Sequence, residues 1–171
     1  MAKTRNEAPI LETKRLVLRR KKYDDFPYMM KMFNDDEVRE FVGGHPPRDE
    51  RSIKGMIRNR IETGWAVTLK DTGEYLGEVE IQNIVDDYLG EIGYMFLKEH
   101  WGKGYANEAV SVMIEYAQNV LNLKRLYADI ENKNERSIKM IEKLGFELIA
   151  VLPESNFWGR VADVAYYSRT L

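Results

Sequence analysis

The spacing of apolar and polar residues changes several times along the chain, and each change marks an element. "RLVLRR" (Arg15–Arg20) alternates apolar and charged positions, the period of a strand with one buried face. "YDDFPYMMKMFNDDEV" moves to helical spacing, with Asp24 or Asp25 placed as a cap and Pro27 in the first turn, where a missing N–H is tolerated. "GGHPPRDE" (Gly43–Glu50) reads as a loop. Asp49 can cap the next run, Glu50 to Glu62, on which Ile53, Met56, Ile57 and Ile61 share a face. "GWAVTLK", "YLGEVEIQNI" and "YLGEIGYMFL" read as strands, with Asp71 to Glu74 as a hairpin turn, so the middle of the chain is an antiparallel meander. Ala106, Ala109, Val110, Met113, Ile114 and Ala117 then recur at helical spacing, with Asn107, Glu108, Ser111, Glu115 and Gln118 opposite. "KRLYADI" is a strand. "NKNERSIKMIEKLGF" is a helix capped by Asn132 or Asn134 and stopped at Gly145. "FELIAVL" and "VADVAYYSRTL" close the chain as strands. This order predicts an α/β (α+β) fold: one domain over residues 1–171, with a mixed, largely antiparallel central sheet flanked by about four helices.

Composition narrows the chemistry. A chain of 171 residues suits one domain, which buries roughly two thirds of its unfolded surface and needs no metal or disulfide to fold. Charged residues make up 32% and sum to a formal −2, which argues against direct binding of nucleic acid. There is no cysteine, so thiolate nucleophiles and cysteine zinc sites are excluded. His45 and His100 are too few and too far apart in sequence for a His-based metal site or a Ser-His-Asp triad, and no metal is expected. The opening "MAKTRNEAPILETKR" lacks the apolar core of a secretory signal, and no run reaches the ~20 apolar residues of a membrane span. The expectation is a soluble cytoplasmic protein with no membrane partner.

The stretch "WGKGYA" places Gly102 and Gly104 between a strand and a helix. First-turn N–H groups lack internal partners and attract anions, and glycine lets a phosphate approach the backbone without a Cβ clash. A phosphate cradle and a tight turn that needs positive φ are both open on the loop alone. It lacks the G-K-[ST] ending of a Walker A loop and does not match the dinucleotide G-x-G-x-x-G. Lys103 can add a point charge or face solvent.

The segment "GEIGYMFLKEHWGKGYANEA", followed by "NERSIKMIEKLGF", resembles the GNAT acyltransferase family, and more closely its RimJ/RimL-type branch, which acetylates ribosomal-protein N-termini. "LETKRLVLRR" and "YDD" resemble that branch's opening strand and first helix, and "GRVADVAYYSRTL" its closing strand. The resemblance implies acetyl-CoA as co-substrate, its pyrophosphate on the backbone of Gly102, Lys103, Gly104, Tyr105 and Ala106, with Asn107 close by and Asn134 in contact. It implies a splay between the strand ending near Leu97 and that at Lys124–Ile130, where the pantetheine arm pairs with Met95, Phe96 and Leu97. Two positions depart from the broad family pattern. Trp101 stands where Gln or Arg is frequent, as an aromatic commonly does in this branch. Ile141 stands where the family often has a tyrosine that acts as acid toward the leaving thiolate, and Ser137 is the candidate by analogy with the branch.

Acetyl transfer to an amine must remove a proton from the ammonium, stabilise an oxyanion and accommodate a departing thiolate. Glu91 is the candidate base, acting through a water; the competing reading is a buried glutamate paired within the sheet. Glu78 and Glu80 share a face and either line an acceptor pocket or are solvated. A backbone N–H near Met95 or Phe96 is the expected oxyanion donor. Trp65, Tyr94 and Tyr105 could wall the site or belong to the core. His100 reads as a loop residue, and Asp163 as structural. The leading reading is an N-acetyltransferase working by direct attack in a ternary complex. Its acceptor is a protein N-terminal amine or a small amine such as a polyamine or aminoglycoside. A non-catalytic coenzyme A sensor and a GTP-dependent regulator are the alternatives. A homodimer is common in the family.

Overall fold

Strands buried at consecutive positions, as at Trp65, Ala66 and Val67, need a sheet with cover on both faces, and the chain supplies both. The computed structural model describes residues 8–41, 47–58, 63–157 and 160–171. Its elements are β1 (Leu11–Glu12), β2 (Leu16–Arg19), α1 (Phe26–Asn34), α2 (Asp36–Arg39), α3 (Glu50–Arg58), β3 (Gly64–Leu69), β4 (Tyr75–Val85) and β5 (Leu89–Phe96). They continue with α4 (Tyr105–Asn119), β6 (Arg125–Glu131), α5 (Glu135–Lys143), β7 (Glu147–Phe157) and β8 (Arg160–Thr170). The strands form one sheet in the order β1-β2-β3-β4-β5-β6-β8-β7. Every pairing is antiparallel except β5 with β6. The mixed, largely antiparallel sheet expected from the sequence is therefore present.

Alternation assigns each face. Val79 pairs with Tyr94 and Ile81 with Ile92; Val79, Ile81 and Ile92 join Ala109, Val110 and Met113 of α4 and Ile141 of α5 in one buried cluster. A second cluster gathers Met29, Met32 and Phe33 of α1 with Ile53 and Ile57 of α3. The cross-strand pairs Glu78–Met95, Glu80–Gly93 and Gln82–Glu91 belong to the sheet face opposite Val79 and Ile81, because successive side chains alternate. Each fully buried Leu, Ile or Met contributes about 1.5–3 kcal/mol of transfer free energy.

The feature that opens the sheet is the parallel pairing. β5 and β6 are joined only where Leu89, Gly90 and Glu91 meet Arg125, Leu126 and Tyr127. Further along, β5 continues with β4 and β6 with β8, so β5 and β6 part into the expected splay. Gly77 keeps the open end of β5 close to β4: a Cβ there would lie 2.3 Å from the Met95 carbonyl oxygen and 2.7 Å from Phe96 Cα.

Several local expectations are corrected. Asp25 stands at the N-cap position of α1, but its side chain makes no cap hydrogen bond there. The Asp25 carboxylate accepts the Lys22 N–H at 2.7 Å and pairs with Arg19 at 2.7 Å, because a 3-10 turn at Tyr23–Asp25 precedes the helix. The first helical run is two helices. Asp35 adopts extended backbone and caps α2 by accepting from Glu37 and Val38 N–H, which brings the α-helices among the described residues to five. Asn134, rather than Asn132, caps α5, and Gly145 ends it with a φ of 80°. Asp49 caps α3 through the Ser52 N–H at 2.8 Å. Residues 43–46 of the predicted loop and the end of the Glu50–Glu62 run lie outside the described residues.

Candidate active site

The N-terminal end of α4 opens onto a cleft of about 1310 Å³ that runs past the end of β5 to α5. Gly102 and Gly104 have φ of 73° and 78°, left-handed conformations that glycine adopts without strain. Nothing lies within 4 Å of a Cβ built on Gly102, so that face of the backbone is open. The first N–H groups of α4 have no acceptor within the helix. Together they make a concave, partly positive surface suited to a phosphate.

Long-range contacts hold this loop. Glu108, in the first turn of α4, accepts the Thr13 hydroxyl at 2.5 Å, the Arg15 N–H at 2.8 Å and Arg15 Nε at 2.6 Å. Arg15 Nη1 donates to the Lys103 carbonyl at 3.0 Å, and the guanidinium lies 4.6 Å from the Tyr105 ring centre. The Trp101 indole N–H donates to the Phe96 carbonyl at 2.9 Å, and Arg136 of α5 stacks on its ring at 3.8 Å. The end of β5, the glycine loop and α5 are thereby joined around the cleft.

A second cavity of about 300 Å³ opens on the other side of the splay, lined by Glu78, Glu80, Glu91 and Asp129 along with Arg39 and Arg48. Glu91 is 4% exposed. Its carboxylate accepts Gln82 Nε2 at 2.9 Å, Asn83 Nδ2 at 2.6 Å and the Tyr127 hydroxyl at 2.8 Å. Asn83 reaches it because β4 bulges between Gln82 and Val85 and Asn83 takes a φ of 48°; bulges re-aim side chains in this way. Asp129 lines the same cavity and feels the Glu91 charge. Burial, then the Glu91 charge, pushes the Asp129 carboxyl up to about 6. The Glu80 carboxyl is raised by burial and by Glu78. Glu78 is 8% exposed and pairs with Lys21 at 2.8 Å, so the solvated-face reading of these glutamates does not hold.

The two cavities meet at Phe41, Tyr94, Met95, Asn134 and Ser137, which line both. The hydroxyls of Tyr94 and Ser137 are 2.5 Å apart. Burial pushes the Tyr94 phenol up to about 12, against a lowering by the Ser137 hydrogen bond.

Among the residues singled out from sequence, Met95, Phe96, Gly102, Gly104, Tyr105, Ala106, Asn107, Asn134 and Ser137 line the large cleft. Lys103 is exposed, and it meets Arg15 through its carbonyl. Leu97 is a core residue, 2% exposed, and its N–H is taken by the Leu76 carbonyl at 2.9 Å, so it has no amide left for a ligand. Trp65 is fully buried core, His100 is 7% exposed rather than a free loop residue, and Asp163 accepts the Glu154 N–H at 3.0 Å. Ile141 is fully buried. Asp129, Tyr94 and Arg15 carry more of the site than the sequence reading gave them. The alternation of "YADI" placed Asp129 on one face with Tyr127, and that was its only signal.

Comparison with known proteins agrees with this geometry. Residues 15–147 match the family described as the acetyltransferase (GNAT) domain. The chain is 32% identical over 168 residues to the uncharacterized N-acetyltransferase p20 of Bacillus licheniformis, covering 92% of this chain and 94% of that protein. Its fold matches that of spermidine N-acetyltransferase from Vibrio cholerae in complex with CoA and spermine, with a TM-score of 0.80, 21% identity and coverage of 92% and 96%. It also matches RimL, a ribosomal-protein α-N-acetyltransferase in complex with coenzyme A, with a TM-score of 0.79, 16% identity and coverage of 95% and 98%. A family match over most of the chain, a relative aligned nearly end to end and a sheet splayed beside a glycine loop agree: the protein belongs to the GNAT family of N-acetyltransferases.

Proposed function

We propose that the protein transfers the acetyl group of acetyl-CoA to a primary amine by direct attack in a ternary complex. The observation that carries the reading is the meeting of an anion-binding cleft and an acid-lined cavity at five shared residues, Tyr94 and Met95 of the splayed strand among them. The backbone of Gly102 to Asn107 takes the pyrophosphate, and the splayed part of β5 at Met95 and Phe96 lies along the pantetheine arm. The thioester then stands near Tyr94 and Ser137, and the acceptor enters from the side of Glu78 and Glu80. A half-buried, acid-lined cavity favours a cationic amine over a neutral nucleophile.

The ammonium gives its proton, through a water, to the Glu91–Asp129 pair. Glu91 is held in place by three donors, and burial with the Glu91 charge raises the Asp129 carboxyl to about 6. A base with a pKa near working pH combines a useful ionised fraction with proton affinity. The amine nitrogen attacks the acetyl carbon, and a main-chain N–H near Met95 meets the oxyanion. The tetrahedral nitrogen sheds its second proton through the same water to solvent, and the C–S bond breaks with its electron pair going to sulfur, where Ser137 donates a hydrogen bond. The structural neighbours act on spermidine and on a ribosomal protein, so the acceptor here is a small polyamine or a protein N-terminal amine. A cytoplasmic location goes with this reading.

The test is coenzyme A release from acetyl-CoA with two probes, spermidine and a short peptide with a free N-terminal serine. Amine-dependent release with either supports the reading. Tight acetyl-CoA binding with no release, unchanged in Glu91→Gln, would instead support a coenzyme A sensor.

A further inference from the structure

The family tyrosine is absent at Ile141, yet a phenol still stands where the two cavities meet, delivered by β5 rather than by a helix. Tyr94 and Ser137 lie 43 positions apart in sequence, and their oxygens are 2.5 Å apart. Each hydroxyl has one proton to give. A phenol is the stronger acid and the weaker acceptor, so Tyr94 donates and Ser137 accepts. The Ser137 backbone N–H is already bonded to Asn134 Oδ1 at 3.2 Å, which fixes the residue in the first turn of α5. With its oxygen holding the phenol proton, the remaining freedom of Ser137 is the direction of its own O–H.

We propose that Tyr94 is a positioning residue: it donates to Ser137 and so aims the Ser137 proton at the departing sulfur. This rests on the acetyl-transfer reading above. Tyr94 does not surrender its proton, because burial holds the phenol far above the ~8.5 of an ordinary thiol. The sulfur therefore leaves as a thiolate that accepts the Ser137 hydrogen bond, and the C–S electron pair goes to sulfur. Of the two protons the nitrogen loses, the first goes to the carboxyl pair and the second through the water to solvent. No proton is needed from Tyr94, and the phenol stays neutral throughout.

The experiment is a double-mutant cycle in the coenzyme A release assay, using whichever of spermidine or the N-terminal serine peptide reacts faster. Tyr94→Phe removes one oxygen and keeps the ring. It is expected to lower kcat about tenfold, the value of one oriented hydrogen bond, with KM for acetyl-CoA unchanged. Ser137→Ala is expected to lower kcat at least as much, and Ser137→Thr to restore most of the rate. The double variant is expected to be no slower than Ser137→Ala alone, because Tyr94 acts only through that hydroxyl. A Tyr94→Phe enzyme at the wild-type kcat overturns the inference and leaves the acetyl-transfer reading standing. So does a double variant whose loss is the product of the two single losses. A wild-type protein that binds acetyl-CoA and transfers to neither probe overturns both readings.

Discussion

Replacing Glu91 by Gln keeps the shape and removes the charge that the proposed acid–base chemistry uses. Three donors converge on the carboxylate at 2.6 to 2.9 Å. A carboxamide keeps one acceptor oxygen, which can stay with Asn83 and Tyr127, while its NH2 then faces Gln82, whose own amide must flip to accept. Hydrogen bonds to a charged group are worth about twice those between neutral groups, so three lose about 1 kcal/mol each. Relief of repulsion with Asp129 returns about 1 kcal/mol, for a net loss of about 2 kcal/mol. For a chain of this size that lowers Tm by about 4–8 °C.

The pH profile is the sharper readout. With Asp129 as the proposed proton acceptor, activity is expected to rise with pH through about 6. Burial, the larger cause of that value, survives the substitution, while the Glu91 charge does not. The acid limb in Glu91→Gln therefore moves to lower pH without returning to the unperturbed ~3.9. The plateau rate falls roughly a hundredfold, since a weaker base takes the proton. Steady-state kcat/KM from pH 5 to 9, beside thermal melts, measures both. An acid limb left near pH 6, with the plateau at the wild-type rate, would refute the carboxyl pair.

Three further perturbations follow from the same contacts. Asp129→Asn should remove the limb near pH 6 altogether and lower the plateau at least a hundredfold, with Tm unchanged or slightly raised because a buried like charge is gone; a persisting limb would clear Asp129 of the role. Lys21→Met strands Glu78, whose partner is 8% exposed, and should cost about 3–5 kcal/mol in denaturant unfolding, so a loss under 1 kcal/mol would show that Glu78 has found water or another cation. Gly77→Ala drives a Cβ to 2.3 Å from the Met95 carbonyl oxygen. It should lower stability by about 1–3 kcal/mol and weaken acetyl-CoA binding by displacing Met95 and Phe96, which a combined melt and titration would detect.

The sequence made visible what depends on local periodicity. The meander, α4 and α5, the Asn134 cap and the glycine loop are all set by residues near one another. What it hid depends on contacts between distant positions. Thr13 and Arg15 clamp Glu108, more than 90 positions away, and nothing in "LETKR" announces a partner. Asp25 looked like a cap because its spacing is right, but Arg19 and the Lys22 N–H compete for the same carboxylate. Glu78 looked solvated because alternation cannot tell an exposed face from one covered by α1 and α3. The splay was legible only through family resemblance. It arises where β5 and β6 stop pairing, and no residue pattern within either strand marks that point.

The central claim is that the Gly102–Asn107 backbone holds the pyrophosphate of acetyl-CoA, and a calorimetric titration tests it directly. Wild-type protein and Gly104→Val are titrated with acetyl-CoA after their folds are compared by circular dichroism. Gly104 has a φ of 78°, where a β-branched residue costs at least 1–2 kcal/mol and puts a Cβ beside the loop. The wild-type protein is expected to bind in the micromolar range and a folded variant at least tenfold more weakly. No binding by the wild-type protein, or equal affinity in both, would contradict it and leave the loop a tight turn.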